Sequence, residues 1–210
     1  MLISHWHHDH VGGISQIHTL APEASFSKYQ VEGEEGELLP IHDGDVFTVE
    51  GAQVQAIHTP GHTTDHVAFL LEGDGILFSG DSILGQGTAV FENLTTYIES
   101  LKKQLSFNPK TIFPGHGPII TDARGKIQEY ISHRQAREDE IVQVFRSEGG
   151  AGKELTPSDI VKVIYARYPQ SLWPAAERGV VLHLEKLAHE GMAKSVGVGK
   201  WMLISQQSSL

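Results

Sequence analysis

His5-Trp6-His7-His8-Asp9-His10 puts five side chains able to bind a metal ion into six consecutive residues, directly after Met1-Leu2-Ile3-Ser4. The opening four residues read as the end of a buried strand, and Val11-Gly12-Gly13 suits a tight loop before a helix that starts near Ile14. Such a corner buries polar groups, which costs several kcal/mol for each group left unpaired. A bound cation removes that cost. His5, His7, Asp9 and His10 are therefore read as ligands, and His8, lying between them, as pointing away.

Three further candidates stand alone, each where a strand stops. Val46 to Ile57 reads as two strands with Glu50-Gly51 as their turn, and leads into His58-Thr59-Pro60-Gly61-His62. Val67–Leu71 and Ile76–Phe78 read as a hairpin around Gly73-Asp74-Gly75 that stops at Ser79-Gly80-Asp81. Thr111-Ile112-Phe113 ends in Pro114-Gly115-His116-Gly117. Loops at one edge of a sheet can bring His62, Asp81 and His116 to one point, and the glycine before each lets the backbone come close. The chain has thirteen histidines and no cysteine. Disulfides and thiolate sites are excluded, so a metal must be held by imidazole and carboxylate. That donor set favours zinc, with iron or manganese as alternatives.

Farther along, Asn93 caps a helix from Leu94 to about Leu105. A long helix is expected over Ala123–Glu148, with Ile127, Tyr130, Ile131, Ile141, Val144 and Phe145 on one apolar face. Gly149-Gly150-Ala151-Gly152 reads as a linker, dividing the chain into residues 1–149 and a tail, 150–210. In the tail, Thr156-Pro157 opens a helix through Tyr165, and Trp173-Pro174 opens a second to about His189. Met192 to Ile204 forms a hairpin around Gly197-Val198-Gly199. Helix, helix, hairpin is the order of a winged-helix-like domain. Glu32–Glu37 reads as a solvated acidic loop and Gln206–Leu210 as a frayed end.

Apolar residues make up 40% and charged residues 20% of the 210, as in a soluble globular chain, with no run of about 18 apolar residues to span a membrane. The net charge is −10; from Ala151 onward seven Lys/Arg face five Asp/Glu, so the first 150 residues carry −12. That balance does not suit a general nucleic-acid binder, and duplex DNA is not an expected partner. No targeting segment is readable in the opening residues. The location expected is intracellular, in the cytoplasm or mitochondrial matrix.

Taken in order, HWHHDH, TPGHT, SGD and PGHG resemble the motifs of the metallo-β-lactamase superfamily. The resemblance implies an α+β fold, the αββα sandwich, with a site at one edge of the paired sheets. It also implies two zinc ions per chain: His5, His7 and His62 on the first, Asp9, His10 and His116 on the second, and Asp81 bridging. Two ions sharing a water lower its pKa from 15.7 toward about 7, giving a zinc-bound hydroxide for hydrolysis. Asp9 is the candidate to orient that water and take its proton, and Asp81 is the second catalytic carboxylate.

The stretches GDSILGQGTAVFENLTTYIESL, KIQEYISHRQARE and LTPSDIVKVIYARYP look like the beta-lactamase-like protein 2 subgroup. That likeness implies an endoribonuclease cutting single-stranded RNA. Similar fungal enzymes imply an alternative, a thioesterase releasing polyketides from an acyl carrier protein; glyoxalase II is a more distant thioesterase relative. A third reading is an inactive form that acts only as a binding module. Family members carry roughly 60 or more residues before HxHxDH, so an N-terminally shortened form is expected here. His66 is placed to hydrogen-bond behind a ligand. His133-Arg134 reads as a salt-bridging helix face or as a contact for an anionic substrate group. His18, His42, His58, His183 and His189 are expected to be ordinary surface or helix residues.

Overall fold

Strand direction decides where the ligand-bearing segments end up. A computed structural model of the chain describes residues 1–33, 38–150 and 152–204. Residues 34–37, Ala151 and 205–210 lie outside the described residues, and with them part of the stretch Glu32–Glu37 expected as a loop and the end Gln206–Leu210 expected to fray. The order is α1 (His8–Val11), α2 (Ile14–Leu20), β1 (Ser27–Tyr29), β2 (Leu39–Ile41), β3 (Val46–Val49), β4 (Ala52–His58), β5 (Val67–Leu71), β6 (Ile76–Gly80), α3 (Leu94–Ser106), β7 (Thr111–Pro114), α4 (Ala123–Ser147), α5 (Pro157–Ile164), α6 (Trp173–His189), β8 (Ala193–Gly197) and β9 (Lys200–Leu203).

Strands β3 to β7 form one five-stranded sheet in chain order. β4 pairs antiparallel with β5, β5 antiparallel with β6, and β6 parallel with β7. β4, β6 and β7 therefore run the same way, and their C-terminal ends share one edge. β5 runs against them and starts at that edge. Its residues Val67, Ala68, Phe69 and Leu70 are all buried. Both pleat faces are thus covered, as a central strand of a layered fold requires. On one face Ala56, Val67 and Phe69 pack with Ile41 of β2 and with Tyr29 and Leu2.

The α3 helix shows why sequence pattern was sufficient there. The Asn93 side chain accepts the Thr96 amide, and Leu94, Tyr97 and Leu101 fall on one buried stripe. Tyr97 Oη donates to the Ser82 carbonyl at 2.6 Å, and Ser100 Oγ to the Pro60 carbonyl at 2.7 Å. The helix thereby clamps the loops that follow β6 and β4.

Two local expectations differ, and one strand pairing has no signal in the sequence. Residues 8–11 close a helical turn, with the Gly12 amide bonded to the His8 carbonyl at 2.7 Å, where a loop was expected. Met1–Ser4 pairs only as a short parallel bridge, Leu2 to Ser27, while the Ser4 carbonyl accepts the Val67 amide at 2.8 Å. The parallel pair β1–β2 has no turn signature between its strands, because a parallel pairing has no hairpin.

The chain divides into two compact units, Met1–Ile131 and Ser132–Leu210. The division falls inside α4, ahead of the glycine linker. Ile141, Val144 and Phe145 of that helix pack with Leu155, Ile160, Val161, Val180, Leu184, Leu187 and Ala193 as one core of the second unit. A capping box between Thr156 and Asp159 starts α5. The β8–β9 hairpin gains a third partner through reciprocal Leu155–Trp201 backbone bonds of 2.9 Å. This is the winged-helix arrangement. Among the described residues no helix is long and apolar enough to cross a membrane.

His183 is not an ordinary helix residue: it is buried on α6, 3.7 Å from the buried Glu138 carboxylate, which Lys186 grips at 2.9 Å. Burial holds the His183 imidazole below its ordinary 6.5. Lys186 and His183 hold the Glu138 carboxyl below 4.5, against its burial. In both cases the unfolded chain binds protons first, so stability is present above the ordinary value and falls as pH drops through it. Denaturant melts between pH 8 and 4 should show His183→Gln flattening the decline that begins near 6.5, and Glu138→Gln flattening the one near 4.5. Melts with unchanged slopes would contradict this assignment.

Candidate metal centre

All seven candidate ligands converge. His5, His7, His62 and Asp81 form one group, and Asp9, His10 and His116 another, with the ligand atoms of each group within 4.8 Å of one another. Each arrives from the shared edge: His62 past β4, Asp81 past β6, His116 past β7, and His5 from the segment tied to the start of β5. The turn of α1 sets His7 and His10 three residues apart on one side, and leaves His8 exposed.

Close approach requires glycine at all three loops: a Cβ on Gly61, at φ +130°, would collide with the Tyr97 backbone. A Cβ on Gly115 would collide with Asp81 Oδ1. Gly80 has φ +49°, and a Cβ there would stand 2.7 Å from His66 Nε2. The Gly115 amide bonds to the Gly80 carbonyl at 2.8 Å, which locks the Asp81 and His116 loops together.

In the first group three imidazole nitrogens face one another. His5 Nε2 is 3.0 Å from His7 Nδ1, and His62 Nε2 is 3.2 Å and 3.1 Å from these two. No N–H can point straight at both other corners of such a triangle. His62 has none to offer, since its Nδ1–H is committed to the Val90 carbonyl at 2.7 Å. Its Nε2 therefore presents a lone pair. Ligands about 2.0–2.1 Å from a tetrahedral ion lie about 3.3 Å apart, close to the spacing seen. Asp81 faces both groups, with Oδ1 3.4 Å from His10 and Oδ2 3.5 Å from His116 and 3.8 Å from His62. His10 Nε2 and Asp81 Oδ1 are buried and have no hydrogen-bond partner among the described residues. These unmet donors and acceptors fit divalent cations.

The charge state agrees. Burial, then repulsion from His10, His62 and His7, pushes His5 down to about 3. Burial also lowers His62. Both imidazoles are thus neutral, as ligands must be. Asp9 is held below the ordinary carboxylate range by its own backbone amide and by His10 and His116. His116 Nε2 lies 3.0 Å from Asp9 Oδ2.

Supporting residues were harder to see in sequence. Ser4 Oγ reaches Nδ1 of both His5 (3.0 Å) and His10 (3.3 Å), and its place directly before the motif was the only signal. The Val90 carbonyl has no sequence signal at all. His66 does hydrogen-bond behind a ligand, as expected: its Nε2 accepts the Asp81 amide at 3.1 Å. His58 stacks on Tyr29 with centroids 3.8 Å apart, rather than being an ordinary surface residue. His133 and Arg134 belong to neither ligand group and lie in the second unit.

A sheet edge carrying paired His/Asp groups defines the class, a protein with a divalent-metal centre of imidazole and carboxylate donors. Residues 1–116 match the Metallo-beta-lactamase superfamily, and residues 156–201 the Beta-lactamase associated winged helix domain. The chain belongs to the metallo-beta-lactamase superfamily, a family of hydrolases. It is 45% identical to the Beta-lactamase-like protein 2 homolog of Drosophila melanogaster, over 91% of this chain and 68% of that one. It is 39% identical to the Lactamase-like protein nscB of Trichophyton equinum, over 82% of this chain and 54% of that one. Among solved structures, a metallo-beta-lactamase family protein from Thermus thermophilus aligns with TM-score 0.64 and 25% identity, over 80% of this chain and 55% of that one. The chain thus spans between half and two thirds of the length of most of these relatives.

Gly115→Ala should fold but bind metal poorly, because its Cβ displaces Asp81 or His10. Metal analysis of folded protein, checked by circular dichroism, should show at least one site lost. Full metal content would contradict the packing argument.

Proposed function

We propose that the chain is a binuclear zinc hydrolase that cleaves single-stranded RNA, in the cytoplasm or mitochondrial matrix. The observation that carries the reading is an open rim. The side chains of Asp9 and His116 are 57% and 51% exposed, and Trp6 is 51% exposed with its ring 4.6 Å from that of His7. An open site flanked by an aromatic face suits an extended strand, whose bases stack on aromatic side chains with little regard to sequence. The likeness of the chain to the beta-lactamase-like protein 2 subgroup supports the same choice.

Two bound zinc ions would supply the charge that acidifies a water and polarises the phosphorus centre. The chain supplies position. His5, His7 and His62 would hold one ion and Asp9, His10 and His116 the other, with Asp81 in reach of both groups. Asp9, anionic and facing solvent, accepts a hydrogen bond from the attacking water and fixes its direction. The neutral His5 and His62 imidazoles add no positive charge of their own, which favours an ion over protons between them.

The test is cleavage of an unstructured RNA oligonucleotide by zinc-loaded protein. His5→Ala and Asp81→Ala should each lose about 100-fold or more in rate, as removing about 3 kcal/mol of charge stabilisation requires. Asp9→Ala should lose activity too. Intact RNA together with turnover of an acyl thioester would replace this reading with the thioesterase one.

A further inference from the structure

One buried histidine at the centre is not a ligand. His66 is fully buried at the start of β5, with its ring 5.2 Å from His5 and 5.8 Å from His62. Its Nε2 belongs to neither ligand group. Both ring nitrogens are nevertheless committed. Nδ1 lies 2.8 Å from Thr59 Oγ1, and Nε2 accepts the Asp81 amide at 3.1 Å.

The tautomer follows from Asp81. Its backbone amide can only donate, so Nε2 presents a lone pair and the ring proton sits on Nδ1. Thr59 Oγ1 accepts that Nδ1–H at 2.8 Å and the Ala68 amide at 3.1 Å, and its own hydrogen can reach the His66 carbonyl at 3.4 Å. The Thr59 amide also bonds to the His66 carbonyl at 2.8 Å, so ring and backbone are fixed by the same residue. Gly80 leaves the space through which the ring reaches the next amide.

We propose that His66 is a positioning residue of the metal centre: the Thr59–His66–Asp81 relay sets the backbone of the carboxylate that faces both ligand groups. Without it the Asp81 amide is buried and unpaired, and its peptide is free to rotate. The carboxylate then leaves the point midway between the groups, and the more exposed Asp9/His10/His116 group loses its shared ligand. A histidine that merely fills the core would affect the melting temperature and nothing more.

The inference rests on the metal-centre reading, and the two fail differently. Metal-free protein is titrated with zinc against a competing chelator, and with cobalt(II), whose visible ligand-field absorption reports the ligand geometry. Wild type should bind two ions. Folded His66→Ala should hold the weaker ion about 10- to 100-fold less tightly, as loss of a hydrogen bond behind a ligand does. Its cobalt spectrum should also change. His66→Gln, which keeps an acceptor, should recover part of the affinity. Thr59→Val, which leaves Nδ1–H without its partner, should weaken the same ion. Wild-type affinity and spectrum in His66→Ala would overturn the inference; if that variant does not fold, wild-type affinity in Thr59→Val would do so. A wild-type chain that takes up no metal overturns the centre and the inference together.

Discussion

Three imidazole nitrogens held within 3.2 Å of one another are the constraint around which the first unit is arranged. Lone pairs repel at that distance, and His62 has already spent its proton on the Val90 carbonyl. The fold keeps these atoms together because each rides on a segment fixed elsewhere. α3 clamps the loops after β4 and β6, the Gly80–Gly115 bond joins the loops after β6 and β7, and the Ser4–Val67 bond ties the histidine motif to β5. The sheet thus imposes a geometry that is unfavourable without a cation. This is preorganisation, with the cost of assembling the donors carried by the buried core of β5 and α3.

Much of this was legible in the sequence, for a physical reason. Ligands sit where strands stop, and strand ends carry glycine, so Pro60-Gly61-His62, Gly80-Asp81 and Pro114-Gly115-His116 announce themselves locally. The helices were equally plain, since Asn93 and Thr156 cap them and their apolar faces repeat. What was hidden depends on contacts between distant residues. Val90 supports His62 through a backbone carbonyl, which every residue type has, so no side chain records it. The parallel pairing of Ser27 with Leu39 likewise leaves no turn signature. α4 is one continuous periodic helix, and nothing in its pattern shows that Ile141, Val144 and Phe145 belong to the core of the second unit. His183 escaped notice because a single buried histidine on a helix has no pattern of its own.

Burial is unequal across the two ligand groups, and that inequality gives the site a direction. His5 and His62 lie almost wholly inside, behind Val90 and beside His66, whereas Asp9 and His116 are more than half exposed. The open face of the site is thus the Asp9/His116 side, whose rim also exposes Trp6. Asp81, buried yet in reach of both groups, presents a carboxylate to the inner and the outer half. An ion in the inner group is screened from solvent and owes its retention to neutral imidazoles. One in the outer group depends more on carboxylate charge, because water competes for it. A carboxylate in reach of both groups links them, so its orientation bears on each. The fold fixes that orientation through the backbone amide, the one handle on Asp81 that leaves both carboxylate oxygens free to face the ions.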